Sequence, residues 1–157
     1  MKLIKIKDDR YTFGLGRSEK AMLFDLLKLY PSGHPRGARL SRSAESNKPN
    51  EAQQLLEDSL AAKKRQNQRK LSALMEENSR FILHESSFNV SLKREEMEWL
   101  LQVLNDIRVG CWVALGSPNL ESAQNLKLTS ENAKSAWAME LAGYFEMALL
   151  NALASGH

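Results

Sequence analysis

The stretch from Ser91 to Gly116, SLKREEMEWLLQVLNDIRVGCWVALG, most limits what this chain can fold into. On a wheel turning about 100° per residue, Met97, Leu100, Leu101, Leu104, Ile107, Cys111 and Leu115 fall on one stripe. Trp99, Val103, Gly110 and Val113 make a second row on the far side. Glu95, Glu98, Gln102 and Asn105 give water access to the first half only. Beyond Asn105 the pattern is apolar nearly all round, which predicts a helix buried between neighbours. Gly110 costs about 1 kcal/mol against Ala in a helix and is expected where another backbone passes close by.

Asn105, Asp106 and Arg108 interrupt that predicted buried half. Residues two apart do not face each other on a helix, so Asp106 and Arg108 cannot satisfy one another. An unpaired buried charge is costly, so each should find a partner on another element. For Arg108 the candidates are Glu19 and Glu140. The first reading of the cluster is a pair of structural ties that register helices, because buried polar groups are normally hydrogen-bonded. The second is a polar pocket for a partner or small anion. The third is a catalytic Asp106, since perturbed carboxylates gather at sites.

Trp99-Leu100, the run VLNDIRV from Val103 to Val109, and Leu115-Gly116 resemble the "W-L…L-N-D-L-R-L" helix of an uncharacterised bacterial family, domain of unknown function number two thousand and seventeen. The similarity extends to an acidic helix start near Glu19 and a closing helix around Trp137 to Leu153. Many members carry a second Arg one turn on, where this chain has Val113-Ala114, so a two-arginine anion site is not implied. The family brings no assigned activity. Its genes often neighbour the Clp-protease adaptor gene in actinobacteria, so the resemblance implies a link to proteolysis.

A length of 157 residues suits one domain, 1–157, with a core of its own. The single cysteine, Cys111, excludes an intrachain disulfide framework and reads as a core thiol. No apolar run reaches the roughly 18 residues of a membrane span, and the N-terminus lacks a signal-peptide core, so a cytoplasmic protein is expected. Charge is uneven. Residues 1–78 hold 16 Lys+Arg against 10 Asp+Glu, while residues 79–157 hold 6 against 9. That pattern predicts a basic face.

Residues 2–16 alternate as a β-hairpin turning at Asp8-Asp9, with Ile4 and Ile6 on one apolar side and Lys2, Lys5 and Lys7 outward. Ser18 is the expected N-cap of a first helix ended by Pro31. Residues 31–49 form a long Pro/Gly/Ser-rich loop carrying Arg36, Arg39 and Arg42. It is either a solvated linker or a phosphate contact. A long helix is predicted over residues 50–83, with Leu56, Leu60, Leu71, Leu74 and Ile82 at helical spacing. Its middle, KKRQNQRK, holds Lys63, Lys64, Arg65, Arg69 and Lys70. That run either crosses open solvent, breaks the helix, or offers a basic stripe to phosphates. Phe88 to Val90 reads as a short strand or connector. A final helix spans residues 130–153, capped by Thr129 or Ser130. It is apolar on both sides, so the outer one suits either the core or a partner surface.

His34, His84 and His157 show no metal spacing, and no nucleophile–base signature or glycine-rich dinucleotide turn is visible. The sequence predicts a mainly α fold, a compact bundle of about four helices with an N-terminal β-hairpin. It predicts no cofactor, no metal and no membrane partner. The leading functional expectation is a non-enzymatic protein-interaction or regulatory protein, a homo-oligomer or bound to another protein. The alternative is a nucleic-acid-associated protein using the basic loop and basic helix segment. The third is a small enzyme or ligand-binding protein centred on Asp106 and Arg108.

Overall fold

A computed structural model describes residues 1–32 and 51–156. The expected hairpin is present, as β1 (Lys2–Lys7) and β2 (Arg10–Gly16). Asp8 and Asp9 both take positive φ, 50° and 57°, the turn that matches strand twist in a two-residue hairpin loop. The strand reading needs one correction. Leu3 pairs with Phe13 but Lys5 with Thr12, so Ile4 is the extra residue of a β-bulge. Ile4 therefore lies beside Gly14, while Ile6 shares the other face with Tyr11, and the two isoleucines form no common side. The same bulge puts Lys2 on the face of Lys5 and Lys7, which strict alternation would forbid.

β2 leads directly into α1 (Arg17–Leu27), capped at Gly16 and not at Ser18. The Gly16 N–H donates to the Glu19 carboxylate at 2.8 Å. α2 (Glu51–Glu76) is one unbroken helix, so the basic run does not split it. It stops well short of Leu83. Residues 81–93 instead form a second hairpin, β3 (Phe81–His84) and β4 (Ser87–Lys93), turning at Glu85 with φ 55°. Phe81 is buried and Ile82 exposed, the two-residue period of a strand. β4 pairs with β2, giving a four-stranded antiparallel sheet in the order β1-β2-β4-β3. The molecule is thus mainly helical, but its hairpin is half of a sheet.

The central helix, α3 (Arg94–Ala114), begins later than expected because Ser91 to Lys93 complete β4. A short α4 (Leu120–Gln124) interrupts the loop, and α5 (Ala133–Ser155) closes the fold. Thr129 acts one turn before α5, exchanging hydrogen bonds with Asn132. One face of the sheet, carrying Tyr11, Phe13, Leu15, Val90 and Leu92, packs on α1, α3 and α5 in a single core. α3 against α5 is the main helix–helix contact.

The expectation that α3 is buried all round in its second half is overturned. Val103, Leu104, Ile107, Gly110 and Cys111 are buried, but Asn105, Asp106, Arg108, Val109 and Trp112 are exposed. The helix has its neighbours on one side. Gly110 does sit under a close approach: a Cβ there would fall 2.6 Å from Ser32 Cβ.

Candidate functional site

Asn105, Asp106 and Arg108 lie on the solvent side of α3, so they do not enclose a polar pocket. Arg108 pairs with neither Glu19 nor Glu140. Its guanidinium donates to Glu146 of α5 at 3.0 Å. The Arg108 side chain is 52% exposed and that of Glu146 only 10%. Arg108 thus reaches from the surface to cover a nearly buried carboxylate, a structural tie between the two main helices. Asp106 contributes through its backbone, whose carbonyl accepts from Ser32 Oγ at 3.0 Å.

Glu19 has a different role. It accepts from the Met1 amino group and the Tyr144 hydroxyl as well as from Gly16, joining the N-terminus, the end of β2 and α5 to α1. Burial would raise its carboxyl, but these donors outweigh burial and hold it below the usual range. The hydrogen bond to Glu19, reinforced by burial and the nearby negative charge, pushes Tyr144 up to about 12. Burial also raises the Cys111 thiol, as suits a core residue.

The basic segments separate. Arg36, Arg39 and Arg42 lie outside the described residues. On α2, Lys63, Arg65, Arg69 and Lys70 are exposed and Lys64 half-buried. The Lys70 ammonium stands 4.3 Å from the Trp99 ring centroid, a cation–π contact. Within the same run, Asn67 is buried. Its amide donates to the Tyr30 hydroxyl at 3.1 Å and accepts from Trp99 Nε1 at 3.0 Å. This clamp, with Leu71, docks the second half of α2. A lone Asn among Lys and Arg gives no signal of burial in the sequence. Upstream of it, Leu55, Leu56 and Leu60 are exposed.

Among the described residues two surfaces stand open. On α5, Gly143, Met147, Leu150 and Ala154 recur at steps of three and four, an apolar stripe turned toward solvent, and Met139 at its N-terminal end is partly buried against the core. Met147 is 59% and Leu150 51% exposed, and a Cβ at Gly143 would meet nothing within 4 Å. By helical arithmetic Met139 and Leu150 lie on the Glu146 side of α5, and Leu101 and Trp112 on the Arg108 side of α3. The ion pair therefore sits between two apolar margins. The second surface is the sheet face away from the core, a groove of about 710 Å³ lined by Lys5, Lys7, Arg10, Thr12 and Ser91 among others.

No protein-family model matches the chain, and neither a curated protein nor a solved structure matches it. The functional reading rests on these surfaces. Among the described residues no helix is long and apolar enough to cross a membrane.

Proposed function

We propose that this chain is a non-enzymatic interaction protein that self-associates through the outward side of α3 and α5. The observation that carries the reading is the stripe Gly143-Met147-Leu150, with Met147 and Leu150 exposed, on a helix whose inner side is already filled by Ala138, Ala142, Phe145 and Leu149. Scattered apolar residues are normal on surfaces, but contiguous apolar patches mark contact sites. Gly143 leaves room for a second helix to approach closely on the stripe. Trp112 stands at the margin with its indole N–H fixed on the Pro118 carbonyl at 3.0 Å. Arg108 lies between, and Trp, Met and Arg are the residue types enriched in contact surfaces.

Sedimentation equilibrium tests this reading. The wild-type chain should show a concentration-dependent dimer. The double variant Met147→Glu/Leu150→Glu should stay monomeric with an unchanged circular dichroism spectrum, because both side chains are at the surface. A wild-type chain that remains monomeric at its solubility limit overturns self-association.

A further inference from the structure

The open face of the sheet concentrates unpaired positive charge. Lys7 pairs in register with Arg10, and Arg10 with Lys93, so three cations stand side by side on three neighbouring strands. Directly paired residues point to the same face, and like charges so placed destabilise a sheet. Lys5 follows two residues along β1, about 7 Å away, and the bulge at Ile4 brings Lys2 to the same side. Among the described residues none of these five cations forms an ion pair. The nearby carboxylates are mostly engaged: Glu77 holds Arg80 at 2.9 Å, and Asp9 lies 3.8 Å from Arg94. Asp8 is the acidic side chain left at the groove's end.

Lysines on an edge strand also deter strand addition from another chain. That explanation covers Lys2, Lys5 and Lys7 on β1. It does not cover Arg10 and Lys93, because the order β1-β2-β4-β3 makes β2 and β4 interior strands. The cations there have no edge to guard. Between them the floor is Thr12, Ser91 and Asn89, short side chains that leave the face open and offer hydrogen bonds.

We propose that this face binds the phosphate backbone of a nucleic acid without sequence preference. Cations repeating at strand spacing, with small hydroxyl and amide groups between them, suit phosphate oxygens. No aromatic side chain lines the groove, so bases gain no stacking platform and the contact is electrostatic. Of the side chains that usually anchor protein partners, Trp, Tyr and Arg, the groove offers arginine alone, which serves phosphate equally well. An acidic protein is therefore the disfavoured occupant. This surface is separate from the α3–α5 side, so the two proposals stand or fall independently.

Fluorescence anisotropy of the full chain with labelled oligo-dT, and with a mixed-sequence duplex, tests the proposal. With four phosphates neutralised at about −0.7 each for a single strand, affinity should fall about 50-fold between 50 and 200 mM salt. Arg10→Gln/Lys93→Gln, which preserves hydrogen bonding on interior strands, should weaken binding at least about tenfold and flatten the salt slope by about one per cation removed. Lys127→Gln/Lys134→Gln makes the same charge change elsewhere and should leave binding nearly intact. Absence of binding at low salt overturns the proposal. So does equal loss in both double variants, which would show net charge alone at work, or poly-glutamate binding as tightly as oligo-dT.

Discussion

Glu19 gathers three donors from three parts of the fold, and its titration is linked to stability. Its folded carboxyl lies below the ordinary 4.5, so the stabilisation it lends is present above that value and is lost as pH falls through the lower folded value. Tyr144 runs the other way. Its folded hydroxyl is raised from 10.0 to about 12, so its contribution is complete below 10.0 and lost as pH rises through about 12. Glu19→Gln should therefore flatten the acid limb of a denaturation-versus-pH series and cost about 1 kcal/mol at neutral pH. Tyr144→Phe should remove the alkaline loss and, by taking one donor from Glu19, shrink the acid limb without abolishing it. A Glu19→Gln variant with an unchanged acid limb would show that the carboxylate is not engaged. The position of Glu19 in a first helical turn was legible in the sequence. Its partners were not, because Met1 and Tyr144 come from opposite ends of the chain and only tertiary packing selects them.

Arg108 shows the same division one level up, where elements meet. That it needs a companion on another helix followed from its place on an otherwise apolar stripe. The companion is Glu146, because the crossing of α3 and α5 brings that turn and not the turn of Glu140 against it. Truncating Arg108→Met leaves Glu146 nearly buried without a counter-charge and should cost about 1–2 kcal/mol, below the roughly 3–5 of a fully buried pair because Arg108 is half in water. Adding Glu146→Leu should restore most of the loss, since replacing both partners by apolar groups removes the desolvation penalty. Urea denaturation of the two single variants and the double variant measures this coupling; purely additive losses would exclude it. Elements of strong period were legible: the first hairpin, α1, α3 and α5. The second hairpin was not. Leu71, Leu74 and Ile82 happen to keep helical spacing across the turn at residues 77–80, and a strand of four residues is too short for its alternation to outweigh that. Nor could the wheel show that α3 would leave Val109 and Trp112 uncovered, since apolar residues all round specify burial only if a neighbour exists to provide it.

At the scale of the whole molecule, the core holds the sheet, α1, α3 and α5 together, and among the described residues α2 is buried against it only in its second half. The clamp of Asn67 on Tyr30 and Trp99 and the burial of Leu71 mark where docking ends. From Glu51 to about Leu60 the helix carries exposed leucines and no buried residue, so its local opening free energy should be near that of a fraying terminus. Amide hydrogen exchange should then rank β2, β4, α3 and α5 as slowest and residues 51–60 as fastest within any helix longer than one or two turns. Asn67→Ala should extend the fast segment through Leu71 and red-shift Trp99 emission, while α3 and α5 remain protected, because the loss releases an appendage and not the core. Should residues 51–60 instead exchange slowly, the concentration series decides the cause. Protection that disappears on dilution means that Leu55, Leu56 and Leu60 are covered by a second copy, and the self-associating surface extends beyond α3 and α5. Protection that persists on dilution means that the first half of α2 is stabilised within its own chain, and docking does not end at Asn67.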